Sequence, residues 1–382
     1  MKWINFLHLY QPPTQSKEIL DTVTHESYFK IIELLKEFPK LKLTINMSGS
    51  LLELLERHGY EGLIKSFAQF ARDGRIEIVG SAMYHPILPL IPETEVREQI
   101  QLQNCICQKW FGETYKPRGF YLPEMAYSES VAHILKELGY EWIILGEVHA
   151  GTEKINPAIR YHIQNIGLDV IFRTDGISKT FPPESVLENP EYFNKPHVIT
   201  AHDGELYGHW HKDDKGYYKK AFTHANIEFV TITEYLAGLK ETKNISIRDA
   251  SWESTEEELA AGIPYALWKM PGNVIHEKLW GLADSVITMI RNHPYDANIQ
   301  PANMRLSRGL ASCAWWWASE RKLGPFSPIT WNPTEIEKGA TELLTAARTL
   351  KKVDPEIRIK TEKIFTDLHD TVWKSHWIKN TN

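Results

Sequence analysis

The chain has 382 residues, a formal net charge of −6 and no long run of Lys and Arg, which argues against nucleic acid as a partner because phosphate binding needs clustered positive charge. Three cysteines, Cys105, Cys107 and Cys313, are too few for a disulfide framework, and Cys105-x-Cys107 lacks the second pair of a zinc site. No stretch approaches the length of a membrane span, and the N-terminal apolar run is interrupted by His8, Tyr10 and Gln11, so neither a membrane partner nor a signal peptide is expected and a cytoplasmic protein is.

Short β-rich runs are expected at residues 3–8, 41–46, 75–79, 118–122, 142–145, 168–173, 197–201 and 227–231. Between several of them, apolar residues recur at helical spacing, at 28–38, 50–58, 62–73, 95–111 and 128–138. Alternating β and α signals predict an α/β fold on a parallel sheet, closed or open. The runs 161–166 and 168–173 flank Gly167 and suggest a hairpin insertion, which leaves seven core strands. From residue 255 the periodicity turns helical, at 256–267, 276–292, 303–319, 333–352 and 356–377. Pro325 and Pro328 punctuate one connection there, and Pro333 suits the first turn of the helix after it. The expected organisation is a catalytic domain over residues 1–254, then a helical region over 255–382 that packs on it and completes a substrate groove.

Four of the apolar runs end in polar groups. Residues 4–7 lead into His8 and Gln11, and 76–79 lead into Gly80, Ser81 and His85. Residues 119–122 lead into Pro123 and Glu124, and 198–201 lead into His202, Asp203, Gly204 and Glu205. In a barrel of parallel strands, residues just past the strand ends converge on one mouth. Pro123 fixes the backbone before Glu124, so this carboxylate is aimed, although a helix-capping role near Ser128 is the plainer alternative. Asp203 precedes a Gly turn, a common turn signal that gains weight from His202 and Glu205 beside it, with Glu205 read as support. His8 and His85 suit sugar hydroxyls or a metal, and His149, beside Glu147, is a lesser candidate. Carboxylates from separate strands are what glycoside cleavage needs, roughly 5 Å apart in retaining enzymes and roughly 6.5–9.5 Å in inverting ones.

Four segments, His8-Leu9-Tyr10-Gln11-Pro12, Gly80-Ser81-Ala82-Met83-Tyr84-His85-Pro86, Gly119-Phe120-Tyr121-Leu122-Pro123-Glu124 and His202-Asp203-Gly204-Glu205-Leu206-Tyr207-Gly208, resemble the first four signature regions of glycoside hydrolase family 57, in order. The tract from Ala250-Ser251-Trp252-Glu253-Ser254 to His276 resembles its amylopullulanase-like branch. The resemblance implies an incomplete TIM-like (β/α)7 barrel followed by a C-terminal helical region. It implies retaining action on α-glucans, on α-1,4 linkages and in some members α-1,6, with Glu124 as nucleophile, Asp203 as general acid/base, and His8 and His85 holding the sugar. Tyr10 stands where the commoner first motif has a second His, so that contact does not carry over. Gln11, Tyr121, His202 and Glu205 complete the expected substrate-binding set, and Trp252, Trp268 and Trp280 are candidates for the groove wall beside the run Trp315-Trp316-Trp317. No cofactor and no metal is called for. The nearest alternatives are an α-galactosidase or a 4-α-glucanotransferase on the same fold. More distant are a zinc-dependent hydrolase or deacetylase using His8, His85 and Asp203, and a non-catalytic glucan-binding protein.

Overall fold

Strand β1, Lys2–Leu9, is the most heavily paired element in the computed structural model, which describes residues 1–322 and 329–380. Trp3, Ile4, Phe6, Leu7 and Leu9 are buried on both faces of this strand, as expected of a parallel sheet covered by helices. Strands β2 (Leu43–Met47), β8 (His197–Asp203) and β9 (Glu228–Phe229) all run parallel to β1, and β3 (Ile76–Ile78) runs parallel to β2. A second sheet places β4 (Gly119–Phe120) beside β5 (Trp142–Gly146), and β5 beside β7 (Asp169–Arg173), all parallel. Strand β6 (Ile159–Ile163) pairs antiparallel with β7, and β10 (Glu241–Ile245) pairs parallel with β6. Backbone hydrogen bonds also run from Gly80 N to Gly119 O (2.9 Å), from Tyr121 N to Gly80 O (2.9 Å) and from Thr174 N to Ile199 O (2.9 Å).

Helices follow the strands as local chemistry dictates. Ser48 caps the helix Gly49–Arg57 by accepting from Leu51 N, and Ser128 caps Glu129–Glu137 by accepting from Val131 N. The helix Glu93–Phe111 stops at Gly112, whose φ of 56° suits glycine. These elements belong to a first compact unit made of Met1–Gln11, Gln15–Met83 and Leu88–Glu253. The second unit is Pro12–Thr14, Tyr84–Ile87 and Ser254–Asn382. Its main helices are Val274–Arg291, Ile299–Gly309, Pro333–Thr349 and Pro355–Asn380. Asn273 and Asn332 cap two of them, and Pro333 opens the third, where its missing N–H costs nothing.

Several sequence expectations change. The run at 168–173 does form a hairpin with β6, but it is not an insertion: β7 is buried at every position and lies in the sheet against β5. Residues 227–231 yield only the two-residue β9. Strand β10, four-fifths exposed and polar, carries no apolar alternation to betray it. The stretch 256–267 is helical only over Glu256–Ala260, because Gly262 (φ 74°) and Pro264 follow. The stretch 303–319 breaks after Gly309 into a second short helix, Cys313–Trp316. Pro325 and Pro328 lie outside the described residues. Among the described residues no helix is long and apolar enough to cross a membrane.

Candidate active site

Parallel pairing sets one row of the site. His8 is registered with Asn46 on β2 and with Asp203 on β8, and residues opposite one another in paired strands share a face. Asn46 Oδ1 lies 2.7 Å from His8 Nδ1, so Nδ1 carries the proton and Nε2 is the ring's acceptor. Burial outweighs this bond and brings the His8 pKa down to about 4, which leaves the ring neutral at physiological pH. The ring stacks on Tyr10 (5.9 Å) and packs at a tilt against Tyr121 (4.6 Å). Leu7 pairs with His202, so His202 points to the other face, where it stacks on Tyr207 at 5.4 Å.

Glu124 follows β4 in a one-turn helix, Pro123–Met125, with φ 58° and ψ 18°; Met125 has φ 48°. Two successive non-glycine residues in the left-handed region cost roughly 1–2 kcal/mol each, and such strain persists only where neighbours over-determine it. Here they do. Met125 N donates to Leu122 O (2.7 Å), Ala126 N to Pro123 O (3.0 Å), and Trp252 N to Glu124 O (3.1 Å). The Trp252 indole Nε1–H donates to Glu124 Oε2 at 2.8 Å. Burial is the main influence on Glu124 and pushes its pKa up to about 7; Trp252 and Arg173 pull it down, and the charge of Glu253 pushes it up.

Asp203 ends β8, and its pKa lies well above the usual carboxylate range, first because of burial, then because of the charges of Glu205 and Glu124. Glu205 is buried with one oxygen, Oε1, accepting from Tyr28 Oη (2.6 Å) and from Gln11 Nε2 (3.0 Å). Burial raises its pKa too, against these two bonds. Two carboxyls so placed favour a shared proton over two charges. Tyr121 is fully buried against Phe6 and His8 and feels Glu124, Asp203 and Arg173. Its hydroxyl, like His202 Nε2 and Arg173 Nη2, is buried with no hydrogen-bond partner among the described residues.

Arg173 is the cation of this cluster, and the sequence reading passed it over. Its Nε donates to Asp175 Oδ1 (2.7 Å), its Nη1 to Ala201 O (3.1 Å), and its guanidinium lies 4.7 Å from the centre of the Trp252 ring. The signal is the one the four motifs carry: β7 is an apolar run that ends in a polar group, but Gly167 beside it makes the run read as part of a hairpin insertion. Asn46 and Tyr28, which hold His8 and Glu205, were also missed. His8, Gln11, Tyr121, Glu124, His202, Asp203, Glu205 and Trp252 thus all belong to the first unit. His85 and the two other tryptophans belong to the second. There His85, at φ 61°, has Nδ1 3.1 Å from Ser312 Oγ and its carbonyl accepting from Ser312 N (3.2 Å). Trp268 is fully buried, its carbonyl accepts from Trp280 Nε1 (2.9 Å), and Trp280 packs on Trp315 at 4.5 Å. Among the described residues no three His, Cys, Asp or Glu side chains cluster as metal ligands.

A family model described as glycosyl hydrolase family 57 matches residues 3–248. An α-amylase of Pyrococcus horikoshii is 30% identical over 68% of this chain and 44% of its own length. A 4-alpha-glucanotransferase of Thermococcus litoralis is 27% identical over 62% of this chain and 39% of its own. The chain therefore spans less than half the length of these curated relatives. Among solved structures, the 4-alpha-glucanotransferase of Thermococcus litoralis superposes with a TM-score of 0.70 at 20% identity, covering 92% of this chain and 60% of that one. The GH57-type branching enzyme of Pyrococcus horikoshii gives 0.68 at 18%, covering 96% and 94%. These two likenesses concern the fold.

Proposed function

The chain belongs to glycosyl hydrolase family 57, and from that premise we propose that it cleaves or transfers α-glucans with retention of configuration, using Glu124 as nucleophile and Asp203 as general acid/base. One observation carries the reading: Glu124 is held by Trp252 in a strained turn beside Arg173, with Asp203 close enough to feel its charge. Ionised Glu124 attacks the anomeric carbon while protonated Asp203 gives its proton to the departing glycosidic oxygen. The glycosyl ester on Glu124 is then opened by water or by a sugar hydroxyl, whose proton Asp203 takes back. Arg173 favours the ionised form of Glu124, and the Glu124 charge keeps the proton on Asp203 until the ester forms. Neutral His8 offers Nε2 to a sugar hydroxyl, and the motif gives His85 the same task.

The same proposal includes a seven-stranded barrel in the order β1-β2-β3-β4-β5-β7-β8. The bonds joining Gly80 to the Gly119–Tyr121 segment, and Thr174 to Ile199, support it. It also places the protein in the cytoplasm, in keeping with a chain that holds only three cysteines.

Product analysis on maltoheptaose by anion-exchange chromatography tests the reading. Shorter products alone indicate hydrolysis, and a ladder with longer chains indicates transfer. Either must vanish in Glu124→Gln, with turnover down on the order of 10⁴-fold or more. Activity surviving in that variant removes Glu124 as nucleophile, and unchanged maltoheptaose with the unmodified protein sinks the linear α-glucan substrate.

A further inference from the structure

We propose that His149 is a positioning residue for the Glu124 carboxylate, acting by clamping together the two backbone segments that define it; the proposal rests on the nucleophile's role given above. His149 is fully buried in the turn Glu147–Ala150 that follows β5. Its Nε2 lies 2.8 Å from Met125 O and 3.1 Å from Ala250 O. One imidazole edge thus reaches both the residue after Glu124 and the residue two before Trp252.

The two segments already run side by side. Tyr127 N donates to Ala250 O (2.9 Å), and Trp252 N donates to Glu124 O (3.1 Å). An antiparallel bridge of this kind is short, and its two segments leave the second sheet at β4 and at β10. At the other edge of the ring, Nδ1 lies 3.0 Å from Gly146 O. Burial keeps the ring neutral, with one N–H, and two carbonyls at Nε2 against one at Nδ1 put that proton on Nε2. The junction is therefore tied to the turn after β5 through the backbone, Arg248 N donating to His149 O (3.1 Å). Removing the ring leaves the Met125 carbonyl buried without this donor, in the turn where Glu124 and Met125 both have positive φ. The segment bearing Trp252 then shifts against the turn bearing Glu124. The bond that suffers is the one from Trp252 Nε1 to the Glu124 carboxylate, because it spans the two.

Ionisation of Glu124 reports the shift. The groups that act on it are Trp252, Glu253 and Arg173, with Asp203 and Tyr121 beside it, and the charged group that acts on His149 is Asp175. Loss of the indole bond removes an influence that holds the Glu124 pKa down. The acidic limb of kcat/KM therefore moves to higher pH. A residue that served stability alone would lower the melting temperature and leave that limb in place.

The test compares His149→Leu, His149→Gln and His149→Asn in the full chain, with ¹⁵N-indole spectra assigned by Trp252→Phe, melting temperatures, and pH profiles on maltoheptaose. Leu removes the donor, Gln keeps an amide N–H of similar reach, and Asn keeps one too short to reach Met125 O. In His149→Leu the Trp252 indole resonance should move upfield, kcat should fall about 10- to 100-fold with KM within about twofold, and the acidic limb should rise, as expected when a bond to a charged group is lost. His149→Gln should restore the resonance, the limb and most of kcat. Should the Leu variant fail to fold, His149→Asn should reproduce its spectral shift. A resonance that stays in place in the folded Leu or Asn variant overturns the clamp. A resonance that moves while the acidic limb does not leaves the clamp standing and overturns the role of Glu124 instead.

Discussion

Trp252 illustrates how a residue's apparent and actual tasks differ at this scale. Its ring is the right material for a sugar platform, yet its indole N–H is spent on Glu124 Oε2 and its face on the Arg173 guanidinium. Trp252→Phe keeps the ring and deletes the donor. A hydrogen bond to a charged group is worth about 1.5–3 kcal/mol, so kcat/KM on maltoheptaose should fall roughly 10- to 150-fold. Arg173→Met should act through charge. Without the cation, protons stay on Glu124 and Asp203 to higher pH, and the acidic limb of the kcat/KM profile should shift upward. Glu124 also links pH to stability. Its pKa in the folded chain, about 7, exceeds the ordinary value of 4.5, so the protonated carboxyl favours folding below about pH 4.5 and that contribution fades as pH rises through 7. Relative to the unmodified protein, Glu124→Gln should therefore melt higher at pH 8 than at pH 4.5; an equal difference at both would contradict the burial argument.

At the scale of elements, the strands with apolar runs were legible because two-sided burial leaves little room for polar residues. What those runs cannot encode is order within the sheet. Gly167, with φ 78°, marks a real turn between β6 and β7, but a turn alone does not say whether the second strand joins the main sheet. That ambiguity concealed Arg173. Glu124 and Asp203 were visible because each sits in a motif beside Pro or Gly, whereas Tyr28 and Asn46 become visible only when β1, β2 and β8 are paired. β4 is only two residues long, and its place depends on close packing: a Cβ on Gly119 would come 2.1 Å from the Trp142 ring. Gly119→Ala should destabilise the fold by about 1–3 kcal/mol, read as a lower melting temperature, and should depress turnover because Glu124 follows this strand.

Across the whole molecule, the two units are not successive halves. The second draws Pro12–Thr14 and Tyr84–Ile87 from within the sequence of the first, and His85 finds Ser312 there. A fragment ending at residue 253 should therefore be poorly soluble and inactive, since it carries Tyr84–Ile87 without their partners; a soluble, folded and active fragment would refute this. The pairing of β1 has a consequence for how the protein is made. β1 leaves the ribosome well before β8, the strand it pairs with some two hundred residues later. Until β8 emerges, one flank of that apolar strand has no native neighbour, and an uncovered strand edge is a template for wrong association. The nascent chain's hazard opens when β1 emerges and closes only when Asp203 has followed it, so the pace of translation between residues 9 and 203, and the chaperones that attend it, should govern the yield of active protein.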